Sequence, residues 1–184
     1  MNFSIGGISM KKKPILKILI ALLCLVVIVV IGLFATHNIG IPESKIEQDI
    51  RKNSHIDASW KITGEASDTF AAYISYPEDQ SDYSFSVYVN RPGISFGYFF
   101  RGGGSISGVD RKIAKFVVED YKECGYISMN REKVTLLEID DGNTVKKIKI
   151  NPNEPFAVVL PINAGTITFS DENGNVIEYL EEKL

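Results

Sequence analysis

The chain has 184 residues, room for one ordinary domain and an anchor but not for two substantial domains. It carries 20 basic and 23 acidic side chains, and all the acidic ones follow Thr36. From His37 onward the count is 16 basic against 23 acidic, a net charge of −7 with no basic run, which argues against nucleic acid or anionic headgroups as partners.

Lys11, Lys12 and Lys13 precede an apolar run with no charged side chain from Ile18 to Ala35. A helix over Ile15 to Thr36 would reach about 33 Å, close to the hydrocarbon thickness of a bilayer. A cleaved signal peptide has a shorter apolar core and a small-x-small cut site, whereas Leu33 and Ala35 stand here. A lipoprotein signal is contradicted by Leu23 before Cys24 and by the apolar residues that continue past it. The pattern predicts an uncleaved signal anchor at 14–36, with 1–13 as a short cytoplasmic tail and the rest outside the cell membrane, since the lysines lie before the span.

Residues 37–57 read as a stalk. "IPESKIEQDIRKNS" places Glu43 and Glu47 near the start of a short helix and Arg51 and Lys52 near its end, which suits the helix dipole. Only Ile46 and Ile50 form an apolar strip, so the helix is expected to be mostly exposed.

From 58 to 184 the spacing changes to short alternating runs between turn residues. "SWKIT" and "TFAAYISY" set Trp60 with Ile62, and Phe70, Ala72, Ile74 and Tyr76 against Ala71, Tyr73 and Ser75. "YSFSVYVN" divides Tyr83, Phe85, Val87 and Val89 from Ser84, Ser86, Tyr88 and Asn90. After "RPG", "ISFGYFFR" puts Ile94, Phe96, Tyr98 and Phe100 on one face, expected to be the face shared with Phe85. Residues 109–124 fit either helix or strand, and their β-branched content favours two strands. "KVTLLEI" and "VKKIKI" flank Asp141-Gly142, while "GTITFS" and "NVIEYL" flank Asn173-Gly174, both hairpin signals; "PFAVVLPI" between them reads as a buried strand. The expectation is a mainly β domain, an antiparallel β-sandwich (Ig-like or related) or a partly open barrel.

Motifs for chemistry are sparse. "FFRGGGSISG" lacks the glycine that a dinucleotide fingerprint starting at Gly102 needs at 107, and Val109-Asp110 replaces the Lys-[Ser/Thr] of a phosphate loop. These glycines are expected to mark a bulge, a loop or a cleft floor beside Phe99, Phe100 and Arg101. Asp171, Asn173, Asn175 and Glu182 match calcium-loop spacing in part, but Val176 stands where that loop needs glycine, and a hairpin turn explains the same residues. His37 and His55 are the only histidines and Cys124 the only cysteine outside the span, so no zinc spacing arises and no intrachain disulfide is available there. Acid pairs such as Glu138 with Asp140 and Glu119 with Asp120 are ordinary in so acidic a chain. No cofactor is expected.

The aromatic residues of the first strands remain. Tyr88, Phe99 and Tyr73 are expected opposite the core-facing Phe85, Phe96 and Phe70, forming with Arg91 and Arg101 a surface for protein contact or sugar stacking. The functional expectation is a non-enzymatic binding, sensing or scaffolding module of the cell envelope, engaging another envelope protein or a glycan. The alternatives are a small envelope hydrolase or transferase using acids or Cys124, and an accessory subunit of a membrane complex. Gly32 and few other small residues give the span no strong helix-packing motif.

Overall fold

The computed structural model describes residues 12–35, 38–91 and 96–184, with side chains from Ile15 onward. The readings that involve residues 1–11, Thr36, His37 and the 92–95 turn with Ile94 lie outside the described residues. The chain divides into two compact units, Met1–Ile39 and Gly40–Leu184.

In the first unit, α1 (Lys12–Ala35) spans 24 residues. Its stretch Ile15–Ala35 is long and apolar enough to cross a membrane.

The second unit is mainly β. A single 3-10 turn (Glu43–Lys45) leads into α2 (Ile46–Asn53). Four antiparallel strands follow in the order β1-β2-β3-β4: β1 (Lys61–Ala66), β2 (Phe70–Tyr76), β3 (Ser84–Asn90) and β4 (Tyr98–Gly104). After the one-turn α3 (Ser107–Arg111) come β5 (Ile113–Val117) and β6 (Glu123–Ser128), so the strand reading of this region holds after that one turn. β7 (Val134–Asp140), β8 (Val145–Lys149), β9 (Phe156–Pro161), β10 (Thr166–Asp171), β11 (Val176–Ile177) and β12 (Tyr179–Lys183) complete two further sheets, ordered β12-β5-β6-β9 and β11-β10-β7-β8.

The three sheets are stacked, and none closes into a barrel. The middle sheet is buried on both faces because its strands deal alternate residues to two cores. Ala114, Phe116, Ile127 and Ala157 meet Phe70, Ile74, Phe85 and Val87 of the first sheet, with the Phe85 and Phe116 rings stacked at 4.4 Å. Ile113, Cys124, Tyr126, Phe156 and Val158 meet Leu137, Ile139 and Phe169 of the third. That double burial explains why "ECGYIS" and "PFAVVLP" lack the polar alternation of a strand with one wet face.

"NVIEYL" departs from the single hairpin strand expected of it. β11 pairs with β10, but beyond Glu178 the chain leaves that sheet, and β12 runs parallel to β5 in the middle sheet. The turn between β10 and β11 is held by Asp171, whose carboxylate accepts the Asn173 N–H at 2.9 Å, the Asn175 N–H at 2.8 Å and the Asn175 side-chain amide at 2.8 Å. The Asp171 carboxylate counted toward calcium is thus engaged in an Asx-type turn, with Gly174 in the left-handed region, while Glu182 lies in β12.

α2 is not a free stalk. Its two apolar residues Ile46 and Ile50 are fully buried on Ala71, Tyr88 and Tyr98, on the face of the first sheet that turns away from the stack. The helix is the fourth layer of the domain.

Candidate functional site

The site follows from the way α2 covers only part of that outer face. In the first sheet, Cα partners across strands share a face, giving one row of Ala66, Ala71, Tyr88 and Phe100 and a second of Gly64, Tyr73, Ser86 and Gly103. β4 contains one residue more than β3 between these rows, because Val87 pairs with Gly102 and Tyr88 with Phe100; Arg101 is the bulged residue.

α2 ends over Tyr88. Past its last residue, Asn53, Ser54 closes the helix by donating its N–H to Ile50 O at 2.8 Å. Beyond this end the sheet is uncovered, leaving a groove of about 420 Å³ lined by Asn53, Ser54, Ser84, Ser86, Tyr88, Phe100, Gly103 and Gly104.

Each wall has a local cause. Phe100 is 54 % exposed and stands edge-on to Tyr88, with ring centroids 5.5 Å apart. Its ring leans over Gly103, where a Cβ would lie 3.0 Å from the ring and 2.7 Å from Phe85 O, so only glycine accommodates it. The Tyr88 hydroxyl donates to Asp49 Oδ2 at 2.8 Å, and the Asn53 amide donates to the same oxygen at 2.9 Å. Burial, reinforced by that carboxylate, pushes the Tyr88 phenol far above its usual range, so it remains a neutral donor.

Ser86 has another position. The residue is 2 % exposed, yet its hydroxyl makes no hydrogen bond among the described residues, and what opening it has is toward the groove. No buried side-chain polar atom lacks a partner among the described residues, so the Ser86 oxygen keeps its contact with solvent through the groove.

The five residues expected to share one surface are dispersed. Tyr88 is 1 % exposed under α2, so its ring does not form an open aromatic face with the other four. Phe99 pairs with Val89 and so faces away from Tyr88, whereas Tyr98 and Phe100 take the Tyr88 face; the sequence assignment of β4 faces is reversed. Phe99, Arg91 and Arg101 do come together, around a notch of about 190 Å³ with Val118, Glu119 and Tyr121. Arg91 lies over the Phe99 ring at 4.2 Å, and Arg101 reaches Leu184 O at 3.4 Å. Tyr73 is half-buried beside α2, facing an open hollow with Glu43 and Glu47.

The residues weighed for catalysis are placed as follows. Cys124 is buried between the middle and third sheets, its thiol donating to Leu160 O at 3.5 Å, and burial pushes that thiol up. His55 is exposed after α2. Glu138 pairs with Lys147 at 2.6 Å, and Asp140 accepts the Gly142 N–H at 2.8 Å. Among the described residues no group of three or more His, Cys, Asp or Glu is arranged to hold a metal ion. A maleimide at pH 8 is therefore expected to modify Cys124 only as fast as the domain opens, and rapidly once urea unfolds it. Native labelling as fast as in urea, followed by mass spectrometry, would show the thiol to be accessible.

Sequence reasoning missed Asn53, Ser54 and Ser86. The available signal was the alternation of "YSFSVYVN", which already set Ser84 and Ser86 beside Tyr88, off the core face. Comparison of the chain with protein-family models, with curated proteins and with solved structures returns no match.

Proposed function

We propose that this chain is a single-pass, membrane-anchored binding module of the cell envelope, with its N-terminus cytoplasmic and its β domain outside. The domain engages its ligand through the groove beyond the end of α2. Lys11, Lys12 and Lys13, ahead of the apolar stretch Ile15–Ala35, support the orientation, and the length and apolarity of that stretch support the anchor. The observation that carries the binding reading is the hydroxyl of the buried Ser86, without a protein partner and open to a groove walled by an exposed aromatic ring.

Two measurements on the full chain in cells test this. A cysteine replacing Ser81, which is exposed in the β2–β3 connection, is expected to react in intact cells with a membrane-impermeant maleimide. The parent chain, with Cys24 in the span and Cys124 buried, is expected not to react. Labelling of the Ser81→Cys chain only after cell lysis would reverse the topology. Separately, a photo-crosslinking residue at Ser54 is expected to give an adduct that disappears with Phe100→Ala, while the same probe at Val176, exposed on the third sheet, gives none. An adduct indifferent to Phe100, or the absence of any adduct at Ser54, would remove the groove from the binding reading.

A further inference from the structure

Resting on the binding reading above, we infer that the groove at Ser86 and Phe100 is a subsite for a neutral saccharide, one pyranose ring lying on the Phe100 face. Every lining side chain is uncharged: Asn53, Ser54, Ser84, Ser86, Tyr88 and Phe100, over a floor of Gly103 and Gly104. A charged ligand would find no counter-ion there, and the net −7 of the surrounding chain opposes an anionic one. The polar inventory is hydroxylic. Ser54, Ser84 and Ser86 make no side-chain hydrogen bond among the described residues, and each hydroxyl both donates and accepts. Asn53 commits its N–H to Asp49, which leaves its carbonyl oxygen as an acceptor.

A sugar ring carries this complement: hydroxyls around its rim for the serines and the amide oxygen, and an apolar C–H face for an aromatic plane. Phe100 provides that plane on a fixed mount, held edge-on by Tyr88 and seated over Gly103. The volume, about 420 Å³, lies inside the roughly 300–1,000 Å³ of small-molecule sites. A ligand hydroxyl would there take the place of solvent on the Ser86 oxygen, which has no protein partner among the described residues.

The test uses the full chain in detergent micelles with uncharged tetrasaccharides of glucose, galactose, mannose and N-acetylglucosamine at millimolar concentration. Saturation-transfer NMR and titration are the readouts. At least one tetrasaccharide is expected to bind, with Phe100→Ala weakening it tenfold or more and Phe100→Trp retaining it. Ser86→Ala is expected to weaken binding while leaving the melting temperature unchanged or raised, because the lost hydroxyl has no protein partner. Arg101→Ala, outside the groove, is expected to change nothing. If no tetrasaccharide binds, or binding ignores Phe100 and Ser86, the saccharide inference is overturned. A Phe100-dependent crosslink from Ser54 would in that case leave the binding module standing with another ligand. A melting temperature lowered by Ser86→Ala would make Ser86 structural and overturn the inference equally.

Discussion

Replacing Asn130 with alanine is expected to destabilise the domain by about 4 kcal/mol, or roughly 12 °C in melting temperature for a domain of this size. Asn130 follows β6 and is 3 % exposed, with φ +56. Its amide nitrogen donates to Val134 O at 3.3 Å, Asn151 O at 2.9 Å and Glu154 O at 3.2 Å. Its side-chain oxygen accepts the Val134 N–H at 2.7 Å, and its own N–H reaches Ser128 Oγ at 2.9 Å. One side chain thus ties the β6–β7 turn to the β8–β9 connection, where the chain passes between the middle and third sheets.

Alanine would leave the Val134 N–H and these carbonyls without that partner, and would hold a Cβ residue in a left-handed conformation that asparagine tolerates better. Asn130→Asp extends the test. Its carboxylate would face three carbonyl oxygens, so folding favours the protonated acid and raises its folded pKa above the unfolded value. Relative to the parent at each pH, the variant is then most stable below the unfolded carboxylate pKa and loses stability as pH rises through the folded one. Urea unfolding of Gly40–Leu184, the compact unit that holds every strand, reads both effects. A loss below about 1 kcal/mol for Asn130→Ala would show the network to be dispensable.

The second large effect lies where Gly125 of the middle sheet packs on Phe70 and Ala72 of the first. A Cβ on Gly125 would sit 2.7 Å from Ala72 Cβ and 3.2 Å from the Phe70 ring, between two β-strands with no flexible side chain to yield. Gly125→Ala is expected to destabilise by about 2 kcal/mol and Gly125→Val by about 3 kcal/mol or more, as overpacking forces the sheets apart. The pair with Ala72 makes this specific. Ala72→Gly alone opens a small void and loosens a strand, at about 1 kcal/mol. In the double variant the methyl group has only moved from one sheet to the other, so the two changes are expected to offset each other by about 1–2 kcal/mol. Strict additivity in a double-mutant cycle would show that the contact does not limit the spacing of the sheets.

The residues far from that contact explain what could be read without a structure. The apolar run in α1 and the period-two alternation of β2, β3, β7 and β10 depend only on neighbours in the chain, as do the hairpin turns at Asp141-Gly142 and Asn173-Gly174. Such features are visible because helix and strand periodicity, and the backbone freedom of glycine, are local properties. The burial of β9 was legible as an apolar run, but not the burial of β6, nor the two different cores that these strands serve.

What only the tertiary structure decided is which face met which partner. Ile46 and Ile50 are two apolar residues on a polar helix, and nothing nearby in the chain says that Ala71, Tyr88 and Tyr98 receive them. The faces of β4 depend on its register with β3, so counting alternate residues put Phe99 beside Tyr88 when pairing puts Phe100 there. The bulge at Arg101 then carries Gly103 to the side of Ser86. The parallel docking of β12 on β5 joins segments 66 residues apart. By itself the sequence determined an apolar anchor-length helix, an acidic β domain and most of its strands. The groove, and the unpartnered hydroxyl that makes it a candidate site, exist only because distant segments bury one another's apolar faces, and that choice is made by long-range packing rather than by any local pattern.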